Sequence, residues 1–222
     1  MKIINVAIDG PAGAGKSTIA RSLVTKLGYI YVDTGALYRA VGVNAMRSGA
    51  DTKNAEQVEA TLKGADVSIR FVDGEQRVFI GEEDVSVVIR TPEASMAASN
   101  VSAVPAVRAF LFDLQRDIAA KNNCIMDGRD IGTVVLPNAQ VKIFLTASAE
   151  VRAKRRYDEL LAKGMQADYN QVLEEMIQRD YQDTHREIAP LKQADDAVLV
   201  DTSDMNLEQV IETLDNIVKE NI

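Results

Sequence analysis

The sequence predicts an α/β fold in which a parallel sheet is covered by helices on both faces. Short apolar runs alternate with longer amphipathic segments, and strands separated by helices of this length form parallel sheets. The chain has 222 residues, of which 46% are hydrophobic and 26% charged, so it is long enough to bury a sizeable core. A glycine-rich segment also follows the first predicted strand, where α/β proteins place their ligand sites.

The individual elements can be placed along the chain from apolar runs and amphipathic periodicity. Predicted strands cover residues 3–8, 29–32, 123–126, 141–146 and 198–200. Predicted helices lie near residues 16–27, 35–48, 104–120, 149–163, 169–187 and 206–220. The first apolar run is too short for a signal peptide and is followed at once by Asp9-Gly10, so we interpret it as a buried strand.

The glycine-rich segment matches the pattern G-x-x-x-x-G-K-[ST] at every fixed position. Its glycines let successive main-chain N–H groups turn inward around a phosphate, and the helix that follows adds the positive end of its dipole. In this pattern the lysine reaches the β- and γ-phosphates, and the serine hydroxyl ligates Mg²⁺. The segment therefore predicts an ATP site, with Lys16 as a catalytic cation and Ser17 as metal ligand, formed by Gly10, Pro11, Ala12, Gly13, Ala14, Gly15, Lys16, Ser17 and Thr18.

Residues 65–88 interrupt the alternation of strands and helices. Two β-rich runs flank Asp73-Gly74, which is a strong signal for a tight turn. We predict a small antiparallel hairpin or a three-stranded sheet inserted into the α/β body.

Residues 151–183 are predicted to form two helices joined by the short segment 163–167, which is a candidate for a mobile lid. The first helix places three arginines at positions i, i+3 and i+4 of one face. Planar guanidinium groups bind phosphate oxygens in pairs, which suits a site where charge is neutralised during phosphoryl transfer. The arginines of the first helix are Arg152, Arg155 and Arg156. In the second helix, Arg179 and Arg186 are seven residues apart and are predicted to share one face, with Asp183 between them.

Net charge, cysteine content and hydropathy indicate which partners and which cellular location to expect. The formal net charge is −8, with a sequence pI near 4.8, which argues against a nucleic-acid-binding protein. Cys124 is the only cysteine and has apolar neighbours, so we expect a buried thiol in a reducing cytoplasm. No run approaches the roughly 20 apolar residues that cross a membrane. We expect a cytoplasmic monomer whose partners are small nucleotides.

Other classes of protein share the glycine-rich motif. A GTPase would carry an N-K-x-D motif and a D-x-x-G motif, and neither occurs in the sequence. A motor or DNA-handling ATPase would usually be longer and would need a basic surface. Arginines outnumber lysines by fourteen to eleven and concentrate in the predicted lid, which favours a kinase. A kinase for another small acceptor, or a nucleotide-gated binding module, remains the alternative.

Further motifs resemble the bacterial cytidylate kinase family, and they follow the family order along nearly the whole chain. The most specific are DTGALYR at residues 33–39 and DGRDIGT at residues 127–133. Others are GEEDV at 81–85, IRT at 89–91 and REIAPL at 186–191. The resemblance implies a P-loop nucleoside monophosphate kinase fold, with a five-stranded parallel core, a β insert and a helical lid. It also implies Mg²⁺-dependent transfer of the γ-phosphate of ATP to CMP or dCMP in pyrimidine metabolism.

The resemblance also assigns regions and residues. The core would comprise residues 1–33, 120–150 and 188–222, the monophosphate-binding region with its insert residues 34–119, and the lid residues 151–187. Arg152 with Arg155 or Arg156 would close over the phosphates, and Arg186 would join them as a catalytic cation. The acceptor would be bound by Thr34, Arg39, Ser99, Arg108, Arg129, Asp130, Arg179, Asp183 and Arg186.

The assigned acceptor residues agree with the chemistry of cytosine. Its N4 amino group donates, while N3 and O2 accept; Asp130 and Ser99 can accept, and Arg108 and Arg186 can donate. Uracil replaces the amino group with a carbonyl, which would leave a buried acceptor unpaired. We therefore predict weak turnover of UMP, while the preference between CMP and dCMP stays open.

The attacking group is a phosphate oxygen that is largely ionised at neutral pH, so no strong general base is needed. The single histidine, His185, is accordingly interpreted as a surface residue. Asp33 and Asp127 each follow a predicted strand, and either of them could orient Mg²⁺ through water. The sequence does not distinguish between the two carboxylates.

Overall fold

The computed structural model describes residues 3–72 and 75–222. The strands are β1 (Asn5–Asp9), β2 (Ile30–Asp33), β3 (Val67–Val72), β4 (Glu75–Ile80), β5 (Glu83–Asp84), β6 (Cys124–Gly128), β7 (Val141–Thr146) and β8 (Val198–Asp201). The helices are α1 (Lys16–Leu27), α2 (Thr34–Arg47), α3 (Ala55–Leu62), α4 (Pro92–Val101), α5 (Pro105–Lys121), α6 (Ala149–Ala162), α7 (Tyr169–His185) and α8 (Leu207–Glu220). A 3₁₀ turn covers Val88–Arg90 and a π-helical turn covers Ile131–Val135.

The predicted parallel sheet is confirmed. Its five strands have the order β2-β6-β1-β7-β8, and every neighbouring pair is parallel. β1 lies in the centre, and the strand order changes direction there, so the carboxyl ends of β1 and its neighbours border a crevice suited to ligands.

Successive residues of the central strands point to opposite faces of the sheet and pack into two separate hydrophobic cores. Val6 and Ile8 of β1 face α1 and α8, where they pack with Leu23 and Leu214. Ala7, between them, faces the opposite side and packs with residues of α5 and the π-helical turn. Both faces are therefore covered by helices, as the alternation of apolar runs predicts.

Six helices lie where the sequence predicts them, but two were missed and one end is wrong. α3 and α4 were not predicted, although Asn54 and Thr91 cap their first turns with side-chain oxygens. The helix predicted to reach residue 187 ends at His185. Arg186 is extended, and the chain then turns through Ala189, which has a φ of 48°, toward Pro190, a residue that cannot continue a helix. Arg186 therefore does not share a helix face with Arg179.

The inserted region forms a three-stranded antiparallel sheet of order β3-β4-β5, which resolves the two predicted possibilities. Val67, Val78 and Val85 of this region pack against α2 in a third core. The predicted turn at Asp73-Gly74 lies outside the described residues.

Within the described ranges, no helix is both long and apolar enough to cross a membrane.

Candidate active site

Three aspartates meet at the carboxyl edge of the parallel sheet. Asp9, Asp33 and Asp127 lie at the ends of β1, β2 and β6, and the strand register places Asp33 beside Asp127. Asp9 accepts hydrogen bonds from the main-chain N–H groups of Ile131 (2.8 Å) and Gly132 (2.7 Å). Burial is the main reason that the pKa of Asp9 is raised to about 6. The segments that follow these three strands therefore meet at the same edge of the sheet.

The glycine-rich loop joins β1 to α1, and its backbone requires glycine. Gly13 and Gly15 have φ angles of 75° and 88°, in the left-handed region that side chains disfavour. At Gly10 a Cβ atom would lie 1.9 Å from the carbonyl oxygen of Leu145 in β7. The loop therefore packs tightly on the sheet and turns into the N-terminus of α1, which is the geometry of an anion site.

Lys16 is buried at the base of this loop. Its Nζ atom donates hydrogen bonds to the carbonyl oxygens of Gly10 (2.7 Å) and Pro11 (2.8 Å). Burial, together with the nearby charge of Arg129, lowers the pKa of Lys16 to about 7. An anion placed in the loop would compensate this cost and favour the charged ammonium group.

Ser17 points toward the acidic edge. Its hydroxyl donates to Asp127 Oδ2 (2.9 Å), while the hydroxyl of Tyr31 donates to the other oxygen, Oδ1 (3.1 Å). Burial and the neighbouring Asp33 raise the pKa of Asp127 to about 6. Asp33 is engaged differently, because its side chain accepts from the N–H of Ala36 and from Arg39. Asp127 is therefore the carboxylate directly linked to the predicted metal ligand.

The donor atoms at this position fit Mg²⁺. They are a hydroxyl and a carboxylate, which are hard oxygen ligands. In the part of the chain that the structure describes, no group of three or more His, Cys, Asp or Glu residues could hold a metal by itself. Mg²⁺ is commonly held by one or two protein oxygens together with substrate phosphates and water.

The predicted acceptor residues come together on the other side of Asp127. Asp130 accepts from Arg186 through Oδ1 (3.2 Å) and from Arg108 through Oδ2. Arg129 donates to Asp183 Oδ2 at 2.7 Å. Burial alone would raise the pKa of Asp183, but the charge and hydrogen bond of Arg129 lower it below its ordinary value. Two buried guanidinium–carboxylate groups thus lie along the cleft.

Two arginines of this cluster keep unpaired nitrogen atoms. The Nε atoms of Arg39 and Arg179 are buried and have no hydrogen-bond partner. Burial, with the like charges of Arg129 and Arg39, lowers the pKa of Arg179 to about 10. Buried donors without partners are costly, and adjacent guanidinium groups repel each other. An anion bound among Arg39, Arg129 and Arg179 would remove both penalties, so these three side chains are a candidate anion site.

The remaining predicted acceptor residues border this cluster. Thr34 is buried at the start of α2, and its hydroxyl donates to the carbonyl oxygen of Asp127 (2.8 Å). Ser99 lies on α4, where its hydroxyl is 3.5 Å from Gln182 Oε1 of α7. Ser99 therefore faces the lid helix across the cleft.

The two helices of the predicted lid, α6 and α7, are held against the glycine-rich loop. Arg152 is buried, donates to the carbonyl oxygen of Ala12 (3.0 Å) and forms two hydrogen bonds with Asp180 (2.6 and 3.1 Å). A Cβ atom on Gly13 would lie 3.1 Å from the Cε atom of Met176 in α7. The lid thus contacts the loop directly, through one cation and one apolar side chain.

The three arginines predicted on one face of α6 have different surroundings. Arg155 donates to the carbonyl oxygen of Thr202 (2.8 Å), on the segment after β8. Arg156 is partly exposed and pairs with Glu159 (2.9 Å) on its own helix. Only Arg152 touches the glycine-rich loop among the contacts described, so the structure does not bring the other two to the cleft.

Two residues outside the cluster match their sequence predictions. Cys124 is buried in β6, and burial raises the pKa of its thiol to about 12, so it is a poor nucleophile. His185 is exposed and stacks on Tyr181 with ring centroids 4.0 Å apart.

Several residues of the site were not singled out from the sequence: Asp9, Tyr31, Met176, Asp180 and Gln182. Asp9 carried a usable signal, because an acidic residue that ends the first strand of a parallel sheet lies at the ligand edge. The others depend on contacts between distant segments, and no local pattern marks them.

The arrangement can hold two anions side by side. The glycine-rich loop offers main-chain N–H groups and Lys16, and the cluster of Arg39, Arg129 and Arg179 offers guanidinium groups. Ser17, at the end of the loop, is hydrogen-bonded to Asp127 on the same sheet edge. Such a site can align a polyphosphate donor with a second phosphate.

Comparison with known proteins agrees with this geometry. A family model described as cytidylate kinase matches residues 6–220. A protein of Caldicellulosiruptor bescii named cytidylate kinase is 51% identical over 212 residues, which cover 96% of this chain and 94% of that protein. A cytidylate kinase of Carboxydothermus hydrogenoformans is 51% identical, with 95% of each chain covered. A third, from Exiguobacterium sp., is 48% identical and covers 99% of this chain and 98% of its own length.

Solved structures resemble the fold at low sequence identity. The crystal structure of shikimate kinase from Bacteroides thetaiotaomicron has a TM-score of 0.50 at 12% identity and covers 99% of this chain and 98% of that one. This likeness concerns the fold alone.

Proposed function

This chain belongs to the cytidylate kinase family, and we propose that it transfers the γ-phosphate of ATP to CMP or dCMP in the cleft between the glycine-rich loop and the arginine cluster. It is an enzyme, a phosphotransferase whose products are ADP and CDP or dCDP. One observation supports this assignment most directly. Arg39, Arg129 and Arg179 cluster near the glycine-rich loop, with buried Nε atoms of Arg39 and Arg179 that have no hydrogen-bond partner.

The donor triphosphate occupies the loop of residues 10–18. Main-chain N–H groups and the N-terminus of α1 bind its phosphates, and Lys16 moves from the carbonyl oxygens of Gly10 and Pro11 to the β- and γ-phosphates. Because burial disfavours the ammonium charge, the exchange of two carbonyl partners for phosphate oxygens is favourable.

The acceptor phosphate lies among Arg39, Arg129 and Arg179, and the base lies toward Asp130. Asp130 accepts from the cytosine N4 amino group, while Arg108 and Arg186 pair with the carboxylate and hold it in place. Ser99 supplies a hydroxyl from α4. UMP presents a carbonyl where cytosine presents an amino group, so the site discriminates against it.

Phosphoryl transfer needs alignment and charge neutralisation more than a base. The acceptor phosphate is largely ionised near neutral pH and attacks without losing a proton to the protein. Lys16 and Arg186 neutralise charge that develops during transfer. Arg152, held by Asp180 against the loop, brings a third cation to the donor side.

Ser17 and Asp127 are the residues that would hold Mg²⁺, Ser17 directly and Asp127 through water. When bound, the ion neutralises charge on the β- and γ-phosphates. We favour Asp127 over Asp33 because Asp127 bonds to Ser17, whereas Asp33 caps α2 and pairs with Arg39.

The remaining assignments are carried over from the sequence. We propose a core of residues 1–33, 120–150 and 188–222, a monophosphate-binding region of residues 34–119 and a lid of residues 151–187. Arg155 and Arg156 remain candidates for lid closure, for which motion of α6 would be needed. A monomer in the cytoplasm stays our expectation for state and location.

A coupled assay of ADP release across acceptors tests the proposal. CMP, dCMP, UMP, AMP, GMP and shikimate would be compared at equal concentration with saturating ATP and Mg²⁺. We expect turnover with CMP and dCMP, much less with UMP and none with shikimate. Comparable rates with CMP and UMP would contradict the base assignment, and faster turnover of shikimate would indicate a kinase for another acceptor. Slow turnover with every acceptor would indicate a nucleotide-gated binding module.

A further inference from the structure

Strands β3 and β4 of the inserted sheet present one face that is apolar except for a single residue, Gln76. The strand register pairs Val67 with Ile80, Ile69 with Val78 and Phe71 with Gln76. The first four of these residues pack in the core around α2. Residues two apart on a strand share a face, so Gln76 lies on the same side of β4 as Val78 and Ile80. A side-chain amide on an apolar face needs hydrogen-bond partners.

That partner is the main chain of Asp33. Gln76 Oε1 accepts from the N–H of Asp33 (2.8 Å), and Gln76 Nε2 donates to the carbonyl oxygen of the same residue (3.2 Å). β2 is an edge strand of the parallel sheet, so these main-chain groups face away from β6. One side-chain amide thus satisfies both main-chain groups of the last residue of β2, in the way that a neighbouring strand would.

Asp33 in turn organises the start of the acceptor site. Its Oδ1 accepts from the N–H of Ala36 and caps α2, while its Oδ2 accepts from Arg39 Nη2 (2.8 Å). Arg39 is the residue whose buried Nε lacks a partner beside Arg179. An unbroken series of hydrogen bonds therefore runs from Gln76 through Asp33 to a guanidinium group of the proposed acceptor-phosphate site.

We propose that Gln76 is a positioning residue for acceptor binding, through which the inserted sheet fixes Asp33 and thereby Arg39. The inference rests on the proposed function, because it assigns a role at the same acceptor site. It gives the insert a part in the reaction although its strands contribute no side chain to the anion site. The donor loop is bonded to other segments, so its affinity for ATP should not depend on Gln76.

The test uses the full chain with Gln76→Met, which keeps the length and apolar contacts of the side chain but removes both hydrogen bonds. We expect the KM for CMP to rise about 10-fold, from the loss of two hydrogen bonds. The KM for ATP should change less than about 2-fold. Glu75→Gln is the matched control, because Glu75 is the exposed neighbour on the opposite face of β4 and should leave both constants unchanged.

A double-mutant cycle with Arg39→Ala separates positioning from a general loss of structure. If Gln76 acts through Arg39, Gln76→Met should weaken CMP binding much less in the Arg39→Ala background than in the parent chain. Equal effects in both backgrounds, or equal rises in KM for ATP and CMP, would overturn the inference. Failure of the parent chain to phosphorylate CMP would instead contradict the proposed function. The temperature of unfolding, measured for each variant, identifies any that are misfolded.

Discussion

The proposed donor and acceptor sides of the cleft differ in the groups that they offer to an anion. The donor loop is one continuous segment, and it presents main-chain N–H groups on a backbone that glycine alone permits at Gly10, Gly13 and Gly15. The acceptor side is assembled from side chains on several segments, whose charges are matched in pairs such as Arg129–Asp183. Main-chain N–H groups recognise the phosphates of any nucleotide, whereas a site made of several side chains can also recognise a particular base.

The two sides also differ in how they tolerate substitution. On the donor side, Lys16 is the one side chain of the loop that carries a charge, and its hydrogen bonds go to main-chain carbonyl oxygens, so its removal leaves no hydrogen-bonded carboxylate behind. On the acceptor side, the loss of one member of a pair leaves a buried charge unpaired, as with Asp130 and its two arginines. Donor variants should therefore lose catalysis, while acceptor variants lose binding and specificity as well.

The largest expected effect comes from Lys16→Met. The substitution removes the cation that reaches the transferred phosphate, and we expect kcat to fall by about 10³-fold. The affinity for CMP should change little, because the acceptor side does not need Lys16 for its own contacts. Single-turnover kinetics and equilibrium binding of CMP measure the two quantities. A kcat within 10-fold of the parent would show that catalysis does not depend on Lys16, and would contradict the assignment of catalysis to the donor side.

Arg186→Ala should have the next largest effect. Arg186 follows α7 and pairs with Asp130, so its loss affects charge neutralisation and the placement of the base together. We expect kcat to fall by about 10²-fold and the KM for CMP to rise, while ATP binding stays largely intact. Unchanged turnover would remove Arg186 from the mechanism. Lys192→Ala serves as a control for a nearby exposed cation.

A smaller effect is expected in proton uptake on ATP binding. Burial lowers the pKa of Lys16 to about 7, so at pH 8 the side chain is mostly neutral before ATP binds. Phosphate oxygens favour the charged form, so its pKa rises and the protein takes up roughly one proton per ATP at pH 8. Calorimetry in two buffers with different ionisation enthalpies measures this number. The uptake should disappear in Lys16→Met, and its persistence there would assign the proton to another group.

Much of the fold could be predicted because its signals are local. The five strands, six of the helices and the inserted sheet follow from apolar periodicity within short windows. α3 was missed although Asn54 caps it, and α4 was missed although Thr91 precedes a proline that suits the first helical turn. The false extension of α7 shows the limit of periodicity, because Arg186 continues the spacing but lies on extended backbone.

Within the candidate site, too, local features could be predicted from the sequence and long-range contacts could not. The donor loop could be predicted from its spacing alone, because the glycines, the lysine and the serine that define it all lie in one short segment. Most of the acceptor residues were assigned only through resemblance to a family, since no local pattern joins Arg39 to Arg179. Arg179, Asp183 and Arg186 had also been singled out from the predicted lid helix. Asp9 and Gln76 were not identified, because their partners lie 122 and 43 residues away, and one carboxylate or amide in a strand has many possible roles.

The central claim is that side chains around Asp130 choose the base, while the donor loop reads only phosphate. The direct measurement is the ratio of CDP to UDP formed when CMP and UMP compete for the same enzyme, with parent chain and Asp130→Asn. The parent should form CDP in large excess. The variant replaces one acceptor oxygen with a donor that suits uracil, so the ratio should fall by about 10- to 100-fold. A ratio that is the same in both proteins would contradict the account.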